Sequence, residues 1–201
     1  MLVPDPQTGK PIHRKLRRRY EETGSARELT FSCYHRFKFL DRDRTRQWFI
    51  ESLEQARSEG QFDIWAYVLM PEHVHLLVSP REDDASIGKF ERRLKSPVAQ
   101  KAIQWLEAHS PDWLRRVTVR EGKTVRRRFW QPGGGYDRNI VESHTLNKAI
   151  DYIHANPVRR GLVESAVDWP WSSARWYAGM RPVPIEMDAI LPRDDDSGGA
   201  R

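Results

Sequence analysis

His73-Val74-His75-Leu76-Leu77-Val78, entered from Tyr67-Val68-Leu69-Met70 through Pro71-Glu72, is the stretch whose reading decides the fold. Side chains on a strand alternate between faces, so His73 and His75 point one way while Val74, Leu76 and Val78 point the other. One face can then pack on a core while the other presents two imidazoles. Pro71-Glu72 is short enough for a tight turn, so the aromatic and branched run from Phe62 to Met70 should pair antiparallel with the His strand. Two neutral imidazoles on one strand face are half of a metal site. The pair alone is equally compatible with two partly buried structural histidines.

Outward from that hairpin, Leu29 to Tyr34 alternates and predicts another strand. Asp41 suits a helix cap, Phe49, Leu53 and Ala56 recur at helical spacing, and Gly60 should end that helix. Ser86 opens a further helix through Phe90 and Leu94, and Ser96-Pro97 reads as a fresh cap leading through Val98, Ala102 and Leu106. Arg126 to Ile140 predicts a strand, a turn at Gly133-Gly134-Gly135 and a second short extended piece. Ser143 caps the clearest helix, with Leu146, Ala149, Ile150 and Ile153 as its core stripe. Pro157 disfavours helical geometry at Asn156, which places the helix end there. Most rings of the closing Trp169–Tyr177 segment suit core or lid packing. The pattern predicts one α+β domain over residues 26–180, an antiparallel sheet of about four to five strands with helices on one face. Residues 1–25 read as a mobile basic arm and 181–201 as a disordered acidic tail.

Lys and Arg number 34 against 28 acidic residues, a net charge of +6. The excess is uneven. Lys10, Arg14, Lys15, Arg17, Arg18 and Arg19 crowd the arm, and a second block runs from Arg115 to Arg126, Arg127 and Arg128. Two basic blocks fit a polyanion, of which nucleic acid is the usual one, although a solvated charged face has the same composition. Cys33 is the only cysteine, so an intramolecular disulfide and a cysteine-based zinc site are excluded. No segment approaches the roughly 20 apolar residues of a membrane span, and a cytoplasmic, nucleoid-associated protein is expected.

His144, Lys148, Tyr152 and Asn156 form one i+4 row on the last long helix, beside its apolar stripe. Asn156 could add an oxygen ligand to the imidazoles, and Tyr152 could place a phenol next to a bound phosphate. Separately, Tyr152 also suits an amphipathic boundary position and Asn156 a helix C-cap.

The chain resembles the HUH single-tyrosine transposases, specifically the REP-associated tyrosine transposases of the IS200-like group. The resemblance rests on Trp65-Ala66-Tyr67-Val68-Leu69-Met70-Pro71-Glu72-His73-Val74-His75, on Phe129-Trp130-Gln131, on Asp151-Tyr152-Ile153-His154-Ala155-Asn156-Pro157-Val158 and on Asp168-Trp169-Pro170-Trp171-Ser172-Ser173. Order and spacing agree over roughly residues 28–178. It implies a ferredoxin- or RRM-like HUH endonuclease fold in which His73, His75 and Asn156 bind Mg²⁺ or Mn²⁺ and Tyr152 is the nucleophile. It further implies single-stranded DNA folded as an imperfect, REP-like hairpin with a short flanking guide sequence, cut through a 5′-phosphotyrosine intermediate that needs no ATP. Arg17, Arg18, Arg19, Arg126, Arg127, Arg128, Arg138 and Lys148 are the expected phosphate contacts. The triple glycine departs from the pattern, standing where a bulkier residue is expected before Tyr136. Tyr136 is the competing nucleophile. A hairpin-binding protein that no longer cuts, and a metal phosphodiesterase that uses water, are the rival functions.

Overall fold

The computed structural model describes residues 2–4, 11–13, 26–133, 135–140 and 142–190. Leu2–Pro4 (β1) and Pro11–His13 (β2) form a small antiparallel pair; the rest of the predicted arm, with Arg17, Arg18 and Arg19, lies outside the described residues. The chain continues through Ala26–Ser32 (β3), Asp43–Gly60 (α1), Phe62–Leu69 (β4), His73–Pro80 (β5) and Ile87–His109 (α2). Pro111–Val117 (α3), Thr118–Glu121 (β6), Thr124–Arg127 (β7), Tyr136–Ile140 (β8), Ser143–Arg159 (α4) and Ala174–Tyr177 (α5) follow. The main sheet has the order β4-β5-β3-β8 and is antiparallel throughout. This is the predicted α+β sheet with the His strand at its centre.

The helices cover both faces of that sheet, not one as expected. Val74, Leu76 and Val78 enter a core with Phe49 and Leu53 of α1 and Phe90 and Leu94 of α2. Leu77, from the opposite face of β5, joins a smaller core with Ala149, Ile150 and Ile153 of α4. β5 is buried on both sides, so Val74 and the run Leu76-Leu77-Val78 are apolar on both faces.

Two prolines expected to interrupt helices lie inside them. Pro97 sits within α2, where it cannot donate to the Arg93 carbonyl. The buried Ser52 hydroxyl of α1 lies 2.8 Å from the Leu94 carbonyl and 3.3 Å from that of Arg93, supplying a donor from another helix. Pro157 likewise lies within α4, which runs on to Arg159. The Asn156 amide donates to the Tyr152 carbonyl at 2.8 Å and lies 3.4 Å from the Ile153 carbonyl that Pro157 leaves open. Asn156 is therefore an interior residue and not the C-cap.

Asp41 does not cap α1, whose N-cap is Arg42; Asp41 and Asp43 instead pair with the buried Arg46 at 3.5 and 3.1 Å. The helix ends at Gly60 as expected, but glycine is not the residue that turns the chain. Gln61 takes the left-handed conformation (φ 57°), while Gly60 lets Phe90 approach, since a Cβ there would lie 3.1 Å from the Phe90 ring.

β6 and β7 form a separate two-stranded ribbon turning at Gly122 (φ 62°), where only one strand was expected. Along the outer edge of β4, Leu69 N–H donates to the Trp171 carbonyl (2.9 Å) and Ser173 N–H to that of Tyr67 (3.0 Å). The aromatic closing segment thus occupies a sheet edge that would otherwise stay open. The boundary drawn at residue 180 falls too early. Ile185 and Met187 are buried in the main core, and Asp188 exchanges two hydrogen bonds with the Ile64 backbone. Residues 191–201 lie outside the described residues. Among the described residues no helix is long and apolar enough to cross a membrane.

Candidate active site

Register places the imidazoles. Ser32 pairs with His73 and Thr30 with His75, so both rings project from the centre of the sheet toward the α4 side. Each outer ring nitrogen has a protein partner: His73 Nδ1 lies 3.2 Å from Glu72 Oε1, and His75 Nδ1 lies 2.8 Å from Thr30 Oγ1. The two Nε2 atoms then face one another at 3.1 Å. Burial, reinforced by His73 and Arg159, lowers the His75 pKa to about 3, and burial also lowers that of His73 against the pull of Glu72. Two neutral imidazoles with converging lone pairs repel unless a proton or a cation lies between them. Outer nitrogens held by a carboxylate and a hydroxyl, with inner ones converging, are what a histidine-bound divalent ion requires. The pair fits the implied metal.

Glu72 belongs to the same construction. Burial alone would raise its pKa, but Arg160 and His73 outweigh this and hold it below the ordinary value. Its Oε1 accepts from Arg160 at 2.8 Å, tying the end of α4 to the turn that precedes the His strand. Its Oε2 is buried with no hydrogen-bond partner.

α4 lays Tyr152 against this centre. The phenol ring stands 5.7 Å from the His75 ring at 89°, is 42% exposed, and has the Arg159 guanidinium 5.0 Å from its centroid. Asn156, one turn on, is 8% exposed; its amide nitrogen is committed to the helix, leaving Oδ1 as its free acceptor among the described residues. The same residue repairs the helix at Pro157 and can offer an oxygen. No trio of His, Cys, Asp and Glu at metal-binding distance exists among the described residues.

A groove of about 620 Å³ runs from this centre between β8 and α4, lined by His75, Tyr152, Lys148, Tyr136, Arg138 and Glu28. Burial raises the Glu28 pKa against the opposing charge of Arg138. The last glycine of the triple run, Gly135, has a structural reason. Gln131 N–H donates to the Ser32 carbonyl and Tyr34 N–H to that of Phe129, so residues 129–131 and β8 pair with successive parts of β3. Pro132, Gly133 and Gly135 lie between them, at the level of the histidines. A Cβ on Gly135 (φ 59°) would lie 2.1 Å from the Thr30 carbonyl oxygen, the residue that orients His75. Glycine is the residue that lets β8 dock there.

The structure brings His75, Tyr152, Lys148 and Arg138 to one groove; His73 stands beside His75 outside its lining, and Asn156 is buried one turn beyond Tyr152. It places Arg126, Arg127 and Arg128 elsewhere, while Arg17, Arg18 and Arg19 lie outside the described residues. Arg126, Arg127 and Arg128 lie on and just after the ribbon beside α2, where Glu121 pairs with Arg126 and Arg128, and Glu107 with Arg127. Thr30, Glu72, Arg159 and Arg160 went unread. Thr30 needed the register, Glu72 looked like half of a turn, and the arginines follow the proline expected to end the helix.

The family model for IS200-like transposases matches residues 25–156. The chain belongs to the IS200-like transposase family. Among curated relatives, a Haemophilus influenzae protein named as a REP-associated tyrosine transposase is 27% identical over 154 residues, covering 73% of this chain and 82% of the relative. An Escherichia coli REP-associated tyrosine transposase is 25% identical over 147 residues, covering 73% and 74%. In fold, this IS200-like chain is similar to a REP-associated tyrosine transposase solved bound to a REP hairpin, with a TM-score of 0.64 and 22% identity over 94% of this chain and 98% of that one. That likeness covers the sheet and both helical layers.

Proposed function

We propose that this IS200-like transposase is a metal-dependent single-stranded DNA endonuclease and strand transferase acting on imperfect hairpins through a 5′-phosphotyrosine intermediate. The observation that carries the reading is the convergence of His73 Nε2 and His75 Nε2 at 3.1 Å with the exposed Tyr152 ring set against His75. His73, His75 and the Asn156 oxygen would hold Mg²⁺ or Mn²⁺. When bound, that ion supplies Lewis acidity at the scissile phosphate and offsets the charge developing there. Three neutral ligands would leave the ion most of its charge.

Tyr152 forms the new bond: its phenolic oxygen attacks phosphorus, its proton leaves to the open groove, and the displaced 3′ oxygen departs as a hydroxyl after taking a proton from solvent. The reverse step, attack by a 3′-hydroxyl, reseals the strand without an external energy source. Arg159 puts positive charge over the ring as the phenol loses its proton. Lys148 and Arg138 line the groove where the attached strand would lie. The Arg160–Glu72 pair keeps α4, and so Tyr152, in register with the imidazoles. A hairpin partner is supported by the relative solved with a REP hairpin.

The test is a labelled hairpin incubated with the protein and Mn²⁺ or Mg²⁺, resolved on a denaturing gel. A covalent adduct that disappears with chelator and maps to Tyr152 is expected. Cleavage without an adduct would replace this reading with a water-using phosphodiesterase; hairpin binding without cleavage would replace it with a binding protein. Affinity should fall steeply with salt, because phosphate contacts release counterions.

A further inference from the structure

One buried acid in the groove takes no part in the cleavage and resealing steps. Glu28 of β3 lines it together with His75, Tyr136, Tyr152, Lys148 and Arg138, yet is only 7% exposed. Register puts it there. Residues directly opposite one another share a face of the sheet, so His75, Thr30 and Tyr136 form one rung on the α4 side. Leu77, Glu28 and Arg138 form the next. Two residues along a strand separate those rungs by about 7 Å. The carboxyl therefore faces the groove one rung from the imidazole against which Tyr152 stands. Packing gives no reason for an acid at this position. Leu77 beside it is fully buried in the small core with Ala149 and Ile150 of α4, and an apolar side chain would extend that layer. Ion pairing gives none either. On the other face of the same two strands, Arg27 and Asp137 are joined at 3.3 Å. Among the described residues the Glu28 carboxyl has no hydrogen bond or ion pair, and Arg138 acts on it only through space.

Strand cleavage needs what such a carboxyl supplies. A phenol has an ordinary pKa of about 10, so Tyr152 becomes a strong nucleophile only if a neighbouring group takes its proton. The other groove residues are poorly suited to do so. Lys148 and Arg138 are cations with no lone pair to offer. His75 is bound to Thr30 through one ring nitrogen and turned toward His73 through the other. His144 is exposed and paired with Glu142. Tyr136 is itself a phenol. Glu28 differs from all of these. Burial raises its pKa above the ordinary carboxylate range, and the charge of Arg138 only partly opposes the rise. A carboxylate of raised pKa is a stronger base than an exposed one, and its acid form returns the proton in the reverse step.

We infer that Glu28 is the general base of strand cleavage and the general acid of resealing, exchanging one proton with the Tyr152 phenol through water in the groove. In cleavage the phenolic O–H bond breaks and its proton passes to the Glu28 carboxylate. The tyrosyl O–P bond forms, and the 3′ oxygen leaves and takes a proton from solvent. In resealing the 3′-hydroxyl attacks phosphorus and gives its proton to solvent, the tyrosyl O–P bond breaks, and the phenolate takes its proton back from Glu28. The inference rests on the phosphotyrosine reading and names the acceptor of the proton that leaves Tyr152. The test follows adduct formation in a single turnover, at saturating hairpin and Mn²⁺, from about pH 5 to 9. In the unaltered protein the rate should climb as Glu28 loses its proton and then level off. Glu28→Gln, nearly equal in shape, should form adduct about 100-fold more slowly at neutral pH, the scale of general acid–base catalysis. Its rate should lose the levelling and close on the original as pH rises and the phenol ionises unaided, with hairpin affinity unchanged. A substrate carrying sulfur in place of the bridging 3′ oxygen has a leaving group that needs no proton, so the deficit should persist with it. A Glu28→Gln rate close to the original, a deficit equal at every pH, or a deficit erased by the sulfur substrate would each overturn the inference. The unaltered protein decides even if the variant melts: a rise of about tenfold per pH unit across the whole range would show that hydroxide, not a carboxylate, takes the proton. Absence of any adduct from the unaltered protein would fall on the phosphotyrosine reading and take this assignment with it, whereas an adduct whose pH profile survives Glu28→Gln overturns the assignment alone.

Discussion

The two faces of β5 are built from neighbouring residues and do opposite work. Val74, Leu76 and Val78 are fully buried against α1 and α2, in a core of aliphatic and aromatic side chains. His73 and His75 face α4, whose own apolar stripe contributes only Ala149, Ile150 and Ile153, with Leu146 at its border. Polar links complete the attachment of α4: Arg160 to Glu72, and His154 Nε2 to Ser173 Oγ at 2.8 Å. The first half of α4 borders an open groove while its second half is fastened. A dense face can fix the strand, and a sparser, polar face can leave room for a substrate while holding the nucleophile in place. Stability and chemistry are thereby assigned to alternate residues of a single strand.

That separation breaks most visibly in paired substitutions. Tyr152→Phe should bind hairpin normally and give no covalent adduct, whereas Tyr136→Phe should still give one; an adduct on Tyr136 would refute the assignment. His73→Ala or His75→Ala should abolish cleavage with little loss of thermal stability, because each removes a polar group whose inner nitrogen has no structural partner but the other. Leu76→Ala, one residue from His75, should do the reverse: about 3 kcal/mol lost in denaturant unfolding for a fully buried leucine, with cleavage per folded molecule kept. If Leu76→Ala and His75→Ala changed stability and rate alike, the two faces would not be independent.

A smaller effect sharpens the account of how α4 is fastened. Arg160→Ala removes the link between α4 and Glu72, leaving a buried carboxylate with His73 as its only hydrogen-bonding partner. Outer partners of metal-binding histidines contribute about 10- to 100-fold to affinity or rate, and a loss in that range is expected. It should be partly recovered at higher Mn²⁺ concentration, while hairpin affinity stays unchanged. An unaltered Mn²⁺ dependence would show that Arg160 acts only on DNA.

Alternation made both the His strand and its partner hairpin legible in the sequence, and i+4 spacing did the same for the Tyr152 row. What escaped reading depended on contacts between distant segments. Pro97 and Pro157 carry the local signal of a helix break, but donors from Ser52 and Asn156 compensate the carbonyls they strand. Ser52 is on another helix, so no window around Pro97 contains it. Residues 185–188 read as part of a disordered acidic tail, yet Ile185 and Met187 fill the edge of the main core and Asp188 binds β4. Thr30 and Glu72 were invisible as site residues because their role lies in register and in the turn, not in residue type. Arg126, Arg127 and Arg128 show the converse: composition marked them as phosphate contacts, and folding gave them Glu121 and Glu107 as neighbours.

The least of the expected effects concerns acid. His154 lies two residues after Tyr152 on α4, its ring 5.1 Å from Tyr177 and its Nε2 bonded to Ser173, which itself accepts from Tyr67 N–H of β4. Burial lowers its pKa from 6.5 to about 4, against a weak opposing pull from Asp151. Between those values the unfolded chain binds a proton that the folded chain refuses, so folding stability rises with pH across the window. The contribution is complete above about pH 6.5 and is lost as pH falls toward 4. His154→Gln keeps an amide within reach of Ser173 and removes the titration. With chelator present, so that His75 titrates alike in both proteins, the original should lose more Tm between pH 7 and 4.5 than the variant, by several degrees for a chain of this size. Parallel melting curves over that range would mean that His154 takes its proton without disturbing Ser173, and that the β4 edge, not the imidazole, fastens this end of α4.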